Sequence, residues 1–208
     1  EWYSIVNGAD LGAFTSELTQ NGVTAVCDLV LNHRTGTSAS VCNGNYLEFT
    51  NPDWDSQAIV RDDWAKNDDG TCSGPRVECS GSCKCGAKDS GENFCGVPDV
   101  DHTSERVRND VVAFMRWLRR HYHFGGWRFD MVLGYGAPYV KEYVARGGSG
   151  GLAVGEFLDD NVERIRAWVS ASSQPAFDFP QRLALKEVMA SGDFAKLASP
   201  PGLAGWSA

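Results

Sequence analysis

"GWRFDMVLGY", residues 126–135, places two charges inside an apolar run. Arg128 and Asp130 stand two apart among Trp127, Phe129, Met131 and Val132. In a strand, residues i and i+2 point to the same side. A strand here therefore carries a guanidinium and a carboxylate on one face and two aromatic rings on the other. The aromatic face suits packing under helices. The charged face has to look onto a place where charge is useful.

The flanking sequence supplies the helices and further strands. Residues 9–20 carry Leu11, Phe14 and Leu18 at helical spacing, and Asn21–Gly22 stops that helix. "VTAVCDLVL", 23–31, is a nearly continuous β-branched run, the pattern of a parallel strand covered on both faces. From residue 103, Val107, Val111, Phe114, Met115, Leu118 and Tyr122 form one apolar helical stripe. Arg116, Arg119 and Arg120 lie off it and read as a solvated face. Gly125–Gly126 is expected to end this helix. A helix over 137–146, a strand over 152–157, a helix over 161–171, a short strand over 175–179 and a helix over 180–190 follow. Strands alternating with helices mean an α/β architecture, with a barrel and an open sheet both compatible. No GxGxxG follows a strand, which disfavours dinucleotide binding.

Residues 32–98 break the alternation. They show no sustained period and are rich in Gly, Asp, Asn, Ser and Cys. A structureless connection of that length is abnormal in a compact domain, so the segment reads as a small inserted subdomain. Six of the seven Cys fall between residues 42 and 95, which implies disulfides and an oxidising compartment. A zinc site in "CSGSCKCG" (79–86) ranks lower, because its spacing lacks paired C-x2-C elements. Cys27, in the apolar run, reads as a buried thiol.

Bulk properties narrow the function. A length of 208 residues suits one domain, or one carrying a large insertion. With 42% hydrophobic and 22% charged residues the chain can bury a sizeable core. A net charge of −8 argues against nucleic acid and anionic membranes as partners. No apolar run reaches the length of a membrane span. The opening "EWYSIVNGAD" carries no initiator Met or targeting segment, and both ends read as cuts through a longer protein.

Active groups of α/β folds gather at the carboxyl ends of strands. Asp28 and Asn32 share a parity on the first strand, with His33 and Arg34 just beyond. Arg128 and Asp130 sit on the second, Glu156 ends the third, and Asp178 lies in the fourth. The interval from Asp130 to Glu156 holds one helix and two turns, so the two strands should be neighbours, about 4.8 Å apart. Their carboxyls can then approach to roughly 5–5.5 Å, the separation of a retaining glycosidase pair. Arg128 would hold Asp130 ionised and oriented. Glu156, with Val154 and Phe157 beside it in sequence, would sit in apolar surroundings and serve as an acid. Singly, each feature is more often structural; together they favour catalysis.

The residues then carry a resemblance. "DLVLNHR" (28–34), "VPDVDH" (97–102), "GWRFDMVLGY" and "VGEF" (154–157) resemble four ordered motifs of the α-amylases, the family 13 glycoside hydrolases, in their plant and green-algal form. The resemblance implies a partial (β/α)8 TIM barrel with a Cys-rich domain B inserted after barrel strand 3. Residues 1–34 and 98–208 would be barrel, and 35–97 domain B. It implies endo-hydrolysis of α-1,4-glucosidic bonds in starch or glycogen, with Asp130 as nucleophile and Glu156 as general acid/base. Arg128 would orient the nucleophile, His33 would bind sugar hydroxyls, and Asp28 would be a buried structural carboxylate. Ca²⁺ would be held by the Asn32 side chain, the Asp99 carboxylate and the Gly134 carbonyl. Asp62, Asp63, Asp68, Asp69, Asp89 and Glu92 are further acidic candidates in the insertion. A monomer, in a secreted or plastid setting, is the expected state.

The sequence departs from the family pattern in places. Leu133 stands where many members carry a basic residue, and Leu158 where an aromatic is common. The insertion carries more Cys than plant relatives. The third carboxylate implied by the resemblance, in an N-H-D motif after the seventh strand, is not found in the 208 residues, so the chain alone is expected to be inactive. The alternatives are another family 13 enzyme, a non-catalytic glucan-binding relative, and a Cys-rich metal module joined to an unrelated α/β domain.

Overall fold

The structure is a computed structural model that describes residues 8–36, 49, 51–66, 69–75, 79–80, 83–148, 151–198 and 202–203. Its centre is a three-stranded parallel sheet in the order β1 (Val26–Leu29), β4 (Gly126–Phe129), β5 (Leu152–Gly155). A separate antiparallel pair, β2 (Trp64–Lys66) and β3 (Cys72–Pro75), lies between β1 and the second helix. The helices are α1 (Gly8–Gln20), α2 (Glu105–Tyr122), α3 (Ala137–Gly147), α4 (Val162–Ser172) and α5 (Phe179–Ser191).

The register places Asp28 beside Arg128 and Arg128 beside Val154. Strand parity then does what the sequence implied. Trp127 and Phe129 are fully buried with Val107, Val111 and Met115 of α2, Val140 and Tyr143 of α3, and Ile165 and Trp168 of α4. The Trp127 indole donates to the Gly148 carbonyl at 2.8 Å, which satisfies its one polar atom. Gly126 is required by close approach, because a Cβ there would stand 2.9 Å from the Leu152 carbonyl oxygen.

Several boundaries differ from expectation. The strand expected over 23–31 contracts to Val26–Leu29. Gly125–Gly126 does not end α2: the helix stops at Tyr122, His123 takes a left-handed φ of 56° and returns its N–H to Arg119, and Gly126 opens β4. At the other end Ser104 caps α2 by accepting from the Val107 N–H. Phe114 is not part of the buried stripe; it is exposed at its edge, one position from fully buried Met115. Arg116, Arg119 and Arg120 are exposed, as read. The strand expected over 175–179 is reduced to a single parallel bridge between Gly155 and Ala176. Gly155 donates to Pro175, and Phe177 donates back to Gly155. The start of α5 at Phe179–Pro180 leaves no room for a longer ladder.

The long segment between β1 and α2 is cross-linked. Cys72–Cys95 and Cys79–Cys85 are disulfides, and Cys83 is also disulfide-bonded. That commits all three Cys of "CSGSCKCG" and removes the zinc reading. Cys42 lies outside the described residues. Cys27 is free, partly buried, and burial pushes its thiol up to about 12. Short bridges join His33 to Asp99 and Ile59 to Val100. Arg34 lies over the rings of Phe49 and Trp54, at 5.3 and 5.0 Å, and Trp54 donates to Asp110 of α2 at 2.8 Å. No helix among the described residues is long and apolar enough to cross a membrane.

Candidate active site

The sheet ladder delivers the two central carboxylates. Asp130 N–H donates to Leu29, and Glu156 N–H donates to Phe129, so hydrogen bonding fixes the backbone up to both residues. Val132 N–H donates to Glu156 and ties the following turn to the neighbouring strand end. Met131 adopts a left-handed φ of 45°, sparsely populated for a residue with a side chain. That turn lets its N–H reach Glu156 Oε2 at 3.2 Å.

Arg128 is the hub. Its Nη1 donates to Asp130 Oδ1 and to Asp28 Oδ1, each at 2.6 Å, and its Nη2 pairs with Glu156 Oε2 at 2.8 Å. Burial lowers the guanidinium's affinity for its proton, but the hydrogen bonds to Asp28 and Asp130 and the nearby negative charges outweigh it and hold the group above its ordinary value. The hub is therefore a permanent cation. Sequence reasoning had Arg128 serving Asp130 alone and Glu156 in apolar surroundings; the structure gives Glu156 the same cation. It also corrects Asp28, whose side chain is bonded to Arg128 but 59% exposed rather than buried. Asp28 lies on β1, an edge strand of the sheet among the described residues, so water reaches it.

His33 stands beside this cluster, stacked on Phe94 with ring centroids 4.2 Å apart. Burial lowers its pKa, and the Asp130 carboxylate opposes that shift. The ring is thus protonated less readily than a free imidazole and lies within electrostatic reach of Asp130. Asp178 is not brought to the site. It caps α5 through Gln181 N–H and holds the Leu203 N–H at 2.6 Å.

A second, oxygen-rich group abuts the loop that follows Asp130. Asn32 is 1% exposed and donates through Nδ2 to Asp99 Oδ1 at 2.9 Å. Its Oδ1 is buried with no hydrogen-bond partner. A Cβ on Gly134 would lie 2.0 Å from that oxygen, so the Gly134 backbone and the Asn32 carbonyl face each other. Asp99, also 1% exposed, accepts from Phe94 N–H through Oδ2 at 2.7 Å. Asn32, Asp99 and Gly134, which the resemblance names as one ligand set, lie near one another. An orphaned amide oxygen beside a carboxylate and against a glycine backbone suits a hard cation. Among the described residues no cluster of three or more His, Cys, Asp or Glu is placed to hold a metal. This set contains only one such residue.

The other acidic candidates separate. Asp63 is buried, accepts from Asn93 at 3.1 Å and touches the Asp99 N–H, which joins it to the oxygen-rich group. Asp89 keeps a buried Oδ2 without a partner, and burial raises its pKa. Asp62 receives the Asp89 N–H, Asp69 closes a local turn with Thr71, and exposed Glu92 pairs with Arg164 at 2.6 Å. Asp68 lies outside the described residues. His102, fully buried and in contact with Leu31 and Tyr135, had no signal in sequence beyond its place at the end of "VPDVDH".

Known proteins share this arrangement of chain. The sequence is 33% identical over 94% of its length to probable alpha-amylase 2 of Arabidopsis thaliana, of which it covers 48%. It is 29% identical over 89% of its length to the chloroplastic alpha-amylase 3 of that plant, of which it covers 21%. The chain spans half or less of the curated relatives it matches. No family model matches. An α-amylase from Malbranchea cinnamomea superposes on 86% of the chain with a TM-score of 0.61 at 20% identity. The Geobacillus thermoleovorans α-amylase, solved with acarbose, does so over 86% with a TM-score of 0.59 at 15% identity. In each case about a third of the solved chain is covered. The parallel sheet with its helices is accordingly part of the α-amylase barrel fold. By sequence over nearly its whole length, and by fold, the chain is similar to the α-amylases.

Proposed function

We propose that the whole protein to which this chain belongs hydrolyses α-1,4-glucosidic bonds of starch-type glucans with retention of configuration. The observation that carries this reading is that Asp130 and Glu156, at the ends of adjacent parallel strands, both touch the one guanidinium of Arg128. In this reading Asp130 attacks the anomeric carbon while Glu156 gives its proton to the glycosidic oxygen. The C–O bond breaks and the leaving glucan departs as an alcohol. Water then attacks the glycosyl–Asp130 ester, Glu156 takes the water's proton, and Asp130 is released. Both contacts made by Glu156 fall on Oε2. Oε1 is then the oxygen that faces the bond. Arg128 aims Asp130 through their 2.6 Å contact. His33, on its Phe94 platform, binds sugar hydroxyls.

Calcium fits the group formed by Asn32, Asp99 and Gly134, with Asp63 beside it. When bound it supplies charge and coordination that hold the loop after Asp130 against residues 89–99. In the same reading residues 35–97 form domain B, residues 1–34 and 98–208 belong to the barrel, and the protein acts as a monomer. The disulfides fit a secreted setting, and the plastid alternative draws on the relative described as chloroplastic.

The test is the turnover of soluble starch by the whole protein and its Asp130→Asn and Glu156→Gln variants. Each substitution should lower kcat by about four orders of magnitude, in the range seen when a nucleophile or its partner is removed. Wild-type turnover in Asp130→Asn would sink the nucleophile assignment. Reducing-end analysis of amylose products separates internal cleavage from release of glucose at chain ends.

A further inference from the structure

We propose that His102 is a positioning residue that ties the end of β1, with Asn32 and His33, to the loop that carries Asp130 and Gly134. The proposal rests on the site reading above and on contacts independent of it. His102 Nε2 lies 3.1 Å from the Leu31 carbonyl, an acceptor only, so Nε2 carries a hydrogen and donates it. Nδ1 lies 2.6 Å from the Tyr143 hydroxyl of α3. With the ring neutral, Nδ1 accepts from that hydroxyl and one tautomer is fixed. The ring also stacks on Tyr135, centroids 4.2 Å apart and planes 16° from parallel. Tyr135 follows Gly134 directly.

One buried imidazole therefore touches the residue before Asn32, the residue after Gly134, and the helix behind them. It also sits three positions after Asp99. The charged and titratable groups around it are Asp101 on its own segment, Arg108 of α2, Tyr139 and Tyr143 of α3, and Tyr135. Arg108 donates to the His102 carbonyl at 3.0 Å, which fixes the backbone as well as the ring. Burial, which the Leu31 contact and Asp101 only partly offset, lowers the ring's pKa from 6.5 to about 4. The unfolded chain takes up a proton below pH 6.5 and the folded one only near 4. The stability that neutral His102 contributes is therefore complete above pH 6.5 and is lost progressively as pH falls to 4.

The experiment compares the whole wild-type protein with His102→Phe, His102→Gln and Tyr143→Phe. His102→Phe keeps a stacked ring and loses both polar contacts. Hydrogen exchange in peptides covering 28–36 and 130–136 should quicken about tenfold in His102→Phe, with the far end of α2 unchanged. kcat on soluble starch should fall at least tenfold, with KM changed less than about twofold, as for a misplaced catalytic group. His102→Gln, which retains an N–H donor, should recover part of that loss. The decline in melting midpoint between pH 6.5 and 4 should be shallower in His102→Phe than in wild type. Should His102→Phe fail to fold, Tyr143→Phe removes a single hydroxyl and should show the same exchange pattern in milder form. Wild-type exchange in both segments, or a lowered melting midpoint with unchanged kcat, would overturn the proposal. A wild-type protein without glucanase activity would refute the functional reading, while the exchange data would still decide the role of His102.

Discussion

Gly134 shows how one missing atom holds two functions apart. A methyl group there would stand 2.0 Å from the Asn32 amide oxygen, with the rest of that amide 2.4–2.7 Å away. Gly134→Ala should therefore push Asn32 off its contact with Asp99. Calcium affinity should drop roughly tenfold to a hundredfold, the usual cost of disturbing ligand orientation. A calcium titration followed by melting midpoint checks this, since a ligand bound only by the folded state raises the midpoint. An unchanged titration would remove Gly134 and Asn32 from the metal reading. At this scale the sequence was legible where strand parity decides direction: Arg128 and Asp130 meet as their spacing required. It misled for Asp28, because exposure depends on what lies beyond β1. It was silent on the other two partners of Arg128, Asp28 and Glu156, because those contacts cross from β4 to β1 and to β5.

Among the elements, β5 and α4 meet most tightly at Gly155. A Cβ there would come within 2.3 Å of the Trp168 ring, which is 5% exposed and cannot swing away. Gly155→Ala is expected to cost roughly 1–3 kcal/mol by overpacking, measured by chemical denaturation. It should also lower kcat, because Glu156 is the next residue. Loss of stability with unchanged kcat would mean that the strand end absorbs the shift. The helices were read nearly to the residue because their apolar stripes and caps are local signals. Ser104 and Asn161 accept the first free N–H groups of α2 and α4. The last strand was overread. "PAFDF" has strand composition, but Asp178 is used to cap α5 and only Ala176 pairs. Local pattern cannot show that a helix cap has first claim on a residue.

For the whole molecule, the alternating order of strands and helices was enough to give the parallel sheet, and the loss of period after Asn32 falls where the described residues hold disulfides, short bridges and one antiparallel pair. Which Cys pair with which, and how Arg34, Phe49 and Trp54 dock that segment on α2, depend on contacts between residues far apart in sequence. The charge of the assembled site is likewise a property of the whole. Asp28, Asp130 and Glu156 surround a single guanidinium, so even with Glu156 carrying the proton it donates, two carboxylates face one cation and the site keeps an excess of negative charge. A positively charged guest gains from that field, and a neutral one of the same shape does not. Sugar mimics that carry a protonated amine in place of the ring oxygen or the bridging oxygen should thus inhibit the whole protein more strongly than neutral isosteres. The advantage should shrink as salt is added, and should be smaller in Asp28→Asn, which removes one of the three carboxyls around Arg128. Inhibition constants for one charged and one neutral mimic, across a salt series, would show whether the cleft discriminates by charge before it discriminates by shape.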